Sequence, residues 1–405
     1  MKDYVSNSSY WKVDSEHDGV VIVRANTPTS YTGLEIAAKT REALEHPLGY
    51  PALSLSTVPS DSVAISLEYG VGEVEQVLNG TLTALGLARI EQAAIQVLLA
   101  PEYLSDSPLT GRIIELVGSN TQVKIHNPED EENLALLSVT PEGLPVRLGR
   151  ILCEADIVIP IGAAIPLAYP QAISGSFFPR FSDNAMSKRF SQPAAQQSKQ
   201  QRQKLLDELA AFDALLGTGH VVLVVPGPGD KIADILCGPT GLVVNRARDR
   251  YQEIWSPALP NRAELVVARI AGDQTQQTWH NLVRAVAAAD AIRTEDGMIA
   301  VCTELERPPF RGFKRLLDAP DLSAVERALQ SEKHPDSAHA LLLCQVLQQS
   351  TVYLQSKLAP ELAESLGFAP VSSTEELNRL VKGARSCIVL DQAQYLQPKL
   401  LDPSL

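Results

Sequence analysis

Short apolar runs alternate with longer amphipathic runs along most of this 405-residue chain, and that alternation limits the fold more than any other feature. The apolar runs VAISL, IQVLL and VVLVV have the length of strands, and helix-length segments such as VEQVLNGTLTALGL follow them. Strands that alternate with helices usually pair in parallel and are covered by helices on both faces. The sequence therefore predicts an α/β fold with mostly parallel sheets.

Two domains are predicted, because one stretch rich in proline and polar residues interrupts the alternation. This stretch is YQEIWSPALPNR, and it separates an N-terminal α/β domain over residues 1–258 from a C-terminal α/β domain over residues 262–405. The early strand-like run GVVIVRAN is assigned to the first domain. We expect a cleft between the two domains, with the carboxyl ends of parallel strands facing it.

Composition and charge exclude several classes of function. The formal net charge of -13 argues against nonspecific binding of nucleic acid or of acidic membranes. The apolar runs are far shorter than a membrane span, and the N-terminus lacks the apolar core of a signal peptide. The five cysteines are far apart and form no CxxC pair, which is typical of buried reduced thiols. A cytoplasmic location is predicted, without a nucleic-acid or membrane partner.

The dipeptide Glu-Tyr follows two neighbouring predicted strands. Glu68 and Tyr69 come after VAISL, and Glu102 and Tyr103 come just after IQVLLAP. Side chains at the carboxyl ends of parallel strands point into the crevice where α/β proteins bind ligands. These four residues are therefore candidate ligand-binding residues, and the alternative is that they only decorate surface loops.

A third strand-like run, DIVIPIG, is followed by AAIPLAYPQAISG, which contains no ionisable side chain. Such a segment is placed where a site would form, yet it supplies no acid, base or metal ligand. We interpret it as a segment that shapes the cleft, with Ser174 and Gly175 as candidate ligand contacts.

The segment GPGDKIADILCGPTG has two possible interpretations. It lacks the third glycine of a GxGxxG loop and the Lys-Ser/Thr pair of a P-loop. The alternating residues Pro226, Gly227, Pro228 and Gly229 have the chemistry of a turn. A hairpin turn is the favoured interpretation over nucleotide binding.

A polar stripe is predicted on the helix that contains QQTWHNLVRA. Gln277, Asn281 and Arg284 are separated by four and three residues, so they share one helix face, and His280 lies among them. This face is either solvated or part of a site. His334 and His339 lie five residues apart and do not share a face well, so a surface or capping role is predicted for both.

The order of several segments resembles the nickel-dependent lactate racemase family. The segments are REALEHPLGYPALS, the long run from HNPEDEENLALL to EADIVIPIG, and AAADAIRTEDGMIAV, and the similarity covers nearly the whole chain. Members of that family fold as two α/β domains with a nickel-pincer nucleotide in the cleft between them. The resemblance implies the same fold, and the same cofactor if the family function is retained.

The catalytic motifs of the family are replaced in this chain. Where the family has Asp-His/Thr-Arg-Pro this chain has Glu68-Tyr69-Gly-Val-Gly, and where it has Gly-x-His-Arg-Pro this chain has Ala-Pro-Glu102-Tyr103. The next histidine and the lysine that bonds to the cofactor would fall near Leu167 and Phe177. No histidine lies between positions 126 and 220.

The replaced motifs therefore predict a protein without the nickel-pincer group and without a metal site. Nickel needs imidazole or sulfur ligands, and racemisation needs two opposed bases. Lys188 is the nearest lysine to the expected position, but it lacks the Gly-Gly approach. Asn281 and Arg284 match the Gln and Lys that the family uses in its second domain, so a site for a carboxylate or phosphate is expected there.

Three functions remain open. The chain could be a pseudoenzyme that binds a small anionic molecule or a partner in the interdomain cleft. It could be an isomerase or racemase-type enzyme in which Glu68, Glu102 and Arg284 replace the histidines and lysine. It could also be a non-catalytic subunit that pairs with an active homologue or with itself. If the first is correct, we expect Glu68 and Glu102 to project towards Arg284.

Overall fold

The computed structural model describes residues 20–26, 30–165, 177–190, 199–229, 231–317, 321–332 and 336–401. The chain divides into two compact units. We call Pro28–Tyr251 the N-terminal unit, and Gln252–Leu405 together with Met1–Thr27 the C-terminal unit. Each unit is built around one six-stranded sheet with helices, which confirms the predicted α/β class.

The N-terminal unit contains a sheet in the order β4-β3-β2-β7-β8-β9, in which only β9 is antiparallel to its neighbour. A separate antiparallel pair, β5 and β6, lies outside this sheet. The strands are β2 Val63–Leu67, β3 Ile95–Leu99, β4 Gln122–Ile125, β5 Leu134–Val139, β6 Pro145–Gly149, β7 Ile157–Ala163, β8 Val221–Pro226 and β9 Ile232–Gly238. The helices are α1 Leu34–Glu45, α2 Leu53–Ser56, α3 Val74–Leu87, α4 Ser107–Val117, α5 Arg150–Glu154, α6 Phe177–Arg180, α7 Asn184–Phe190, α8 Lys199–Leu215 and α9 Thr240–Trp255.

The central strands of this sheet form because they are apolar over their whole length. All five residues of β2 are buried, as are the first five of β8, since helices cover both faces of a parallel sheet. Helix α4 begins where Asp106 accepts a hydrogen bond from the backbone N–H of Leu109, and Pro108 occupies its first turn.

The C-terminal unit contains a wholly parallel sheet in the order β1-β15-β11-β12-β13-β14, with a short pair of β10 and β16 beside it. The strands are β1 Val20–Val23, β10 Ala258–Leu259, β11 Ala263–Arg269, β12 Arg293–Cys302, β13 Val352–Gln355, β14 Ala369–Pro370, β15 Cys387–Asp391 and β16 Lys399–Leu400. The helices are α10 Trp279–Asp290, α11 Leu322–Ser331, α12 Ser337–Gln349, α13 Pro360–Ser365 and α14 Thr374–Gly383. Helix α10 packs on β11, β12 and α12.

The N-terminal strand departs from the predicted domain limits. We expected GVVIVRAN to belong to the first domain, but β1 pairs in parallel with β15, so that Val20 lies opposite Cys387 and Val23 opposite Leu390. The N-terminal unit accordingly begins at Pro28, not at residue 1. The sequence of an apolar strand does not specify which strand it pairs with, and here the partner strand lies more than 360 residues away along the chain.

The hairpin predicted at the Pro-Gly repeat is confirmed. β8 and β9 pair antiparallel, and the N–H of Gly227 donates to the carbonyl of Lys231 at 2.7 Å. All five cysteines are free, and four of them are buried. Burial raises the pKa of Cys153, the half-buried one, to about 11. No helix in the described part of the chain has both the length and the apolar character needed to cross a membrane.

Candidate functional site

The two Glu-Tyr pairs lie side by side at the carboxyl end of the N-terminal sheet. β2 and β3 are paired in register, with Leu67 opposite Leu99, so the residues that follow the two strands are neighbours. Glu68 and Tyr69 leave β2 directly, and Glu102 and Tyr103 lie in a single 3-10 turn after β3. The sequence therefore placed these four residues at one edge of one sheet correctly.

The two tyrosines are held by hydrogen bonds within this edge. The hydroxyl of Tyr69 donates to the Asp106 carboxylate at 2.7 Å, and the hydroxyl of Tyr103 donates to the Glu68 carbonyl at 3.2 Å. Their rings meet edge to face, with centroids 5.2 Å apart. Burial, together with the negative charges nearby, raises the pKa of Tyr103 far above its usual range, so this phenol is a permanent donor.

The carboxylate of Glu102 is paired with Arg180 of α6, with Nη2 and Oε1 2.8 Å apart. Neither Arg180 nor Asp106 was identified as a site residue from the sequence. The Asp-Ser-Pro motif at Asp106 indicates a helix cap, and nothing near Arg180 in the sequence links it to Glu102. At this edge, two pairs of side chains bind each other, and the Tyr103 hydroxyl binds a backbone carbonyl.

A cavity of about 160 Å³ lies beside this edge, at the carboxyl end of β4, and His126 lines it. The Nε2–H of His126 donates to the carbonyl of Ser182 at 3.0 Å. Burial, its largest influence, lowers the pKa of His126, so the ring is neutral at pH 7. The neighbouring Arg150 donates to the carbonyls of Glu132 and Leu134, which fixes the start of β5. These polar groups serve the fold of the β5–β6 pair.

Gln277, which we expected on the same helix face as Asn281 and Arg284, lies before the N-cap of α10, Thr278, and links the start of this helix to the end of β12. Its Oε1 accepts hydrogen bonds from the hydroxyl of Thr303 at 2.8 Å and from the N–H of Glu304 at 2.9 Å. Its Nε2 donates to the carbonyl of Gly272 at 3.1 Å. Three hydrogen bonds thus hold the Gln277 amide, and we assign it a positioning role.

Asn281 and Arg284, which the sequence predicted on one face, are directly bonded. The Arg284 Nη1 donates to Asn281 Oδ1 at 2.6 Å, and Asn281 Nδ2 donates to the carbonyl of Gln276 at 2.7 Å. The hydroxyl of Tyr395 in turn donates to Gln276 Oε1 at 2.7 Å. Asn281 is 3% exposed, so its amide is a fixed acceptor that orients the half-buried Arg284.

His280, on the same helix, contacts a carboxylate that sequence reasoning missed. Its Nε2 lies 3.0 Å from Asp336 Oδ1, and Arg311 Nη1 lies 3.5 Å from the other oxygen, Oδ2. Burial alone would raise the pKa of Asp336. The hydrogen bond from His280 and the charges of His280, Arg311 and His339 outweigh it, and hold the pKa well below its usual range.

The surface position expected for His339 is wrong. Its ring packs edge to face against that of His280, with centroids 4.5 Å apart, because α12 lies against α10. A helix face that is buried by another helix looks solvated in the sequence when its residues are polar. His334, Ser174 and Gly175 lie outside the described residues, and the approach of Glu68 and Glu102 to Arg284 stays a prediction.

The residues present do not fit a nickel-pincer group. The ends of β2 and β3 offer carboxylates and phenols, which are hard oxygen donors, where that group requires imidazole. Lys188 is half-buried on α7, well along the chain from the strand ends. Within the described ranges, no three His, Cys, Asp or Glu side chains are arranged to hold a metal ion.

The chain consists of two α/β units, whose sheets are mostly or wholly parallel and have polar side chains at the strand ends. This architecture defines the class of protein to which the chain is similar. The chain has the fold of lactate racemase. It matches the lactate racemase apoprotein from Thermoanaerobacterium thermosaccharolyticum with a TM-score of 0.74 and 16% sequence identity, over 93% of this chain and 94% of that one. It also matches a protein from Thermotoga maritima with a TM-score of 0.68 and 11% identity, over 93% of this chain and 100% of that one. No family model and no curated protein matches the chain.

Proposed function

We propose that this chain is a divergent member of the lactate racemase superfamily that binds a small organic anion and does not perform nickel-dependent racemisation. The observation that carries the proposal is the fixed orientation of Arg284. Its guanidinium is held by Asn281, whose amide is itself held by Gln276 and Tyr395.

Preorientation favours binding for an energetic reason. A free arginine loses considerable side-chain entropy when it binds an anion, and a fixed one has lost it already. A guanidinium also offers parallel donors that match a carboxylate or a phosphate. Arg284 is half-buried, so a bound anion would be partly screened from water and the interaction strengthened.

The isomerase alternative that uses Glu68 and Glu102 has less support. Glu102 already accepts an ion-paired hydrogen bond from Arg180, and Glu68 contributes its backbone carbonyl to Tyr103. The ion pair gives the Glu102 carboxylate a role in the fold of the edge, whereas the Glu68 contact involves only its backbone.

Binding can be tested by thermal unfolding with sodium lactate and with sodium phosphate, each against sodium chloride of equal ionic strength. A ligand at about 100 times its dissociation constant adds about 2.7 kcal/mol to the free energy of unfolding. We expect stabilisation by at least one of the two anions, its loss in Arg284→Ala, and a partial loss in Arg284→Lys. The control is Arg379→Ala, which removes an exposed arginine of the same unit. Equal stabilisation of wild type and Arg284→Ala would contradict the proposal.

The absence of nickel chemistry is tested separately. The protein is purified from cells that make the nickel-pincer cofactor, its nickel content is measured, and L-lactate is assayed for conversion to D-lactate. We expect neither stoichiometric nickel nor conversion, because imidazole donors and opposed bases are replaced. A nickel ion in each chain, or conversion that depends on Arg284, would refute this part of the proposal.

A further inference from the structure

We propose that His280 and Asp336 form an acid–base pair that moves a proton on the carbon next to the carbonyl group of a small 2-oxo carboxylate. This inference rests on the proposed function, because Arg284 is the group that would hold the substrate carboxylate. It adds a reaction, a substrate class and two catalytic-site residues to that function.

The orientation of the imidazole supports the proposal. Asp336 is an acceptor, so the 3.0 Å contact means that Nε2 of His280 carries the proton and donates it. The other ring nitrogen, Nδ1, then holds the lone pair that can accept a proton. An imidazole whose tautomer is fixed by a buried carboxylate is the arrangement that makes histidine an effective general base.

A tight turn sets the position of the Asp336 carboxylate. Asp336 directly precedes α12, and the 3-10 turn Arg311–Leu316 packs on the start of that helix. A Cβ at Gly312 would lie 2.9 Å from the Cα of Ser337, so only glycine permits this approach. The approach brings Arg311 to 3.5 Å from Asp336 Oδ2, which keeps the carboxylate charged although it is buried.

The base and the anchor lie one helical turn apart. His280 and Arg284 are four residues apart on α10, so they share a face with Cβ atoms about 5–6 Å from each other. A small 2-oxo acid held by its carboxylate at Arg284 can therefore extend along the helix face towards His280. The side chain of His280 is 19% exposed, which leaves its ring partly accessible.

The surroundings of His280 suit a proton acceptor. The rings of Phe310 and Phe313 each lie 6.1 Å from the imidazole, and the His339 ring lies 4.5 Å away. Among the described residues, the charged or titratable groups that face His280 from neighbouring elements are Asp336, Arg311 and His339. The apolar rings on one side limit the access of water to the imidazole.

The step is a simple enolisation. A C–H bond next to the carbonyl breaks, its proton passes to Nδ1 of His280, and the electron pair moves into the carbonyl oxygen to give an enolate. Return of a proton to carbon restores the oxo acid, so no oxidant or further reactant is required. In D₂O the returned proton is a deuteron.

The test is deuterium uptake at C3 of 2-oxobutanoate in D₂O, followed by proton NMR. We expect the protein to accelerate uptake over buffer, and His280→Gln to reduce the acceleration about 100-fold or more, which is the usual contribution of a general base. Asp336→Asn should also reduce it and shift the pH profile, since the imidazole loses its orienting acceptor. The control His46→Gln changes an exposed histidine of the other unit and should leave uptake unchanged.

Folding defects are separated from chemistry by a measurement on the wild-type protein. Diethyl pyrocarbonate modifies accessible imidazoles, and 2-oxobutanoate should protect His280 but not His46. Binding that depends on Arg284 without deuterium uptake would overturn the acid–base pair and leave the proposed function standing. Absence of both binding and uptake, or uptake that survives in His280→Gln, would overturn this inference as well.

Discussion

The polar side chains at the end of the N-terminal sheet and those around α10 in the C-terminal unit are of similar types but are organised differently. In the N-terminal unit, Tyr69 binds Asp106, Tyr103 binds the Glu68 carbonyl, and Glu102 binds Arg180. These bonds join separate pairs of residues. In the C-terminal unit, a continuous series of bonds leads from buried Tyr395 through Gln276 and Asn281 to Arg284.

Polarity at a strand end therefore does not by itself indicate a site. Local pairs satisfy the hydrogen-bonding groups that parallel strands leave at their ends, and this stabilises the fold. A series of hydrogen bonds that starts in the core and ends at Arg284 has a different effect. It fixes the orientation of a half-buried cation that can bind a ligand.

The largest effect is expected from Asp336→Asn in the C-terminal unit. Removing the charge leaves the His280 N–H and Arg311 beside a neutral amide, and hydrogen bonds to a charged group typically contribute about 1.5–3 kcal/mol. The free energy of unfolding, measured by denaturant titration at pH 7, should fall by this amount. A loss similar to that of an exposed pair would show that the cluster is solvated.

The same variant should change the pH dependence of stability. The folded pKa of Asp336 is lowered, so its charge stabilises the protein at pH values above the unfolded pKa of about 3.9. This contribution is lost as the pH falls below about 4 towards the folded pKa. Wild type should therefore lose more stability than Asp336→Asn between about pH 5 and about pH 2, a range that brackets the unfolded pKa. Parallel curves would contradict the assignment.

Two buried glutamines of the C-terminal unit should respond in opposite directions. Gln394 accepts from the N–H of Ala271 and donates to its carbonyl, whereas no described residue binds either amide atom of Gln355, which is 2% exposed. Gln394→Leu should destabilise by about 1–3 kcal/mol, because it leaves the Ala271 groups without partners. Gln355→Leu should be neutral or stabilising. Thermal unfolding of both variants measures the two effects, and equal losses of stability would contradict the comparison.

A smaller effect is expected from Tyr103→Phe at the end of the N-terminal sheet. The ring, its packing against Tyr69 and its burial are retained, and only the hydrogen bond to the Glu68 carbonyl is lost. The cost should be about 1 kcal/mol in the free energy of unfolding. Anion binding by the C-terminal unit should not change, and a loss of binding would show that this edge takes part in the site.

The smallest effect is expected from Glu102→Gln. The side chains of Glu102 and Arg180 are 28% and 37% exposed, and ion pairs with this degree of exposure contribute about 0–1 kcal/mol. A double-mutant cycle with Arg180→Gln should give a coupling energy in that range. A coupling of several kcal/mol would mean that this edge is as preorganised as α10.

The α/β class, the long apolar strands, the Pro-Gly hairpin and the common sheet edge of Glu68, Tyr69, Glu102 and Tyr103 followed from the sequence alone. Periodicity and the direction of parallel strands are sufficient for these, because both follow from residues close together in the chain. The shared face of Asn281 and Arg284 follows in the same way from helical spacing.

Only the tertiary structure decided which distant groups meet. β1 joins the C-terminal sheet, Arg180 binds Glu102, and Asp336 binds His280 from 56 residues away. No local pattern specifies these contacts, since each depends on how helices and strands pack after they have formed. The polar character of α10 was readable in the sequence, but the difference between a solvated face and an oriented Arg284 depends on Tyr395 and Gln276, which reach it only in the folded chain.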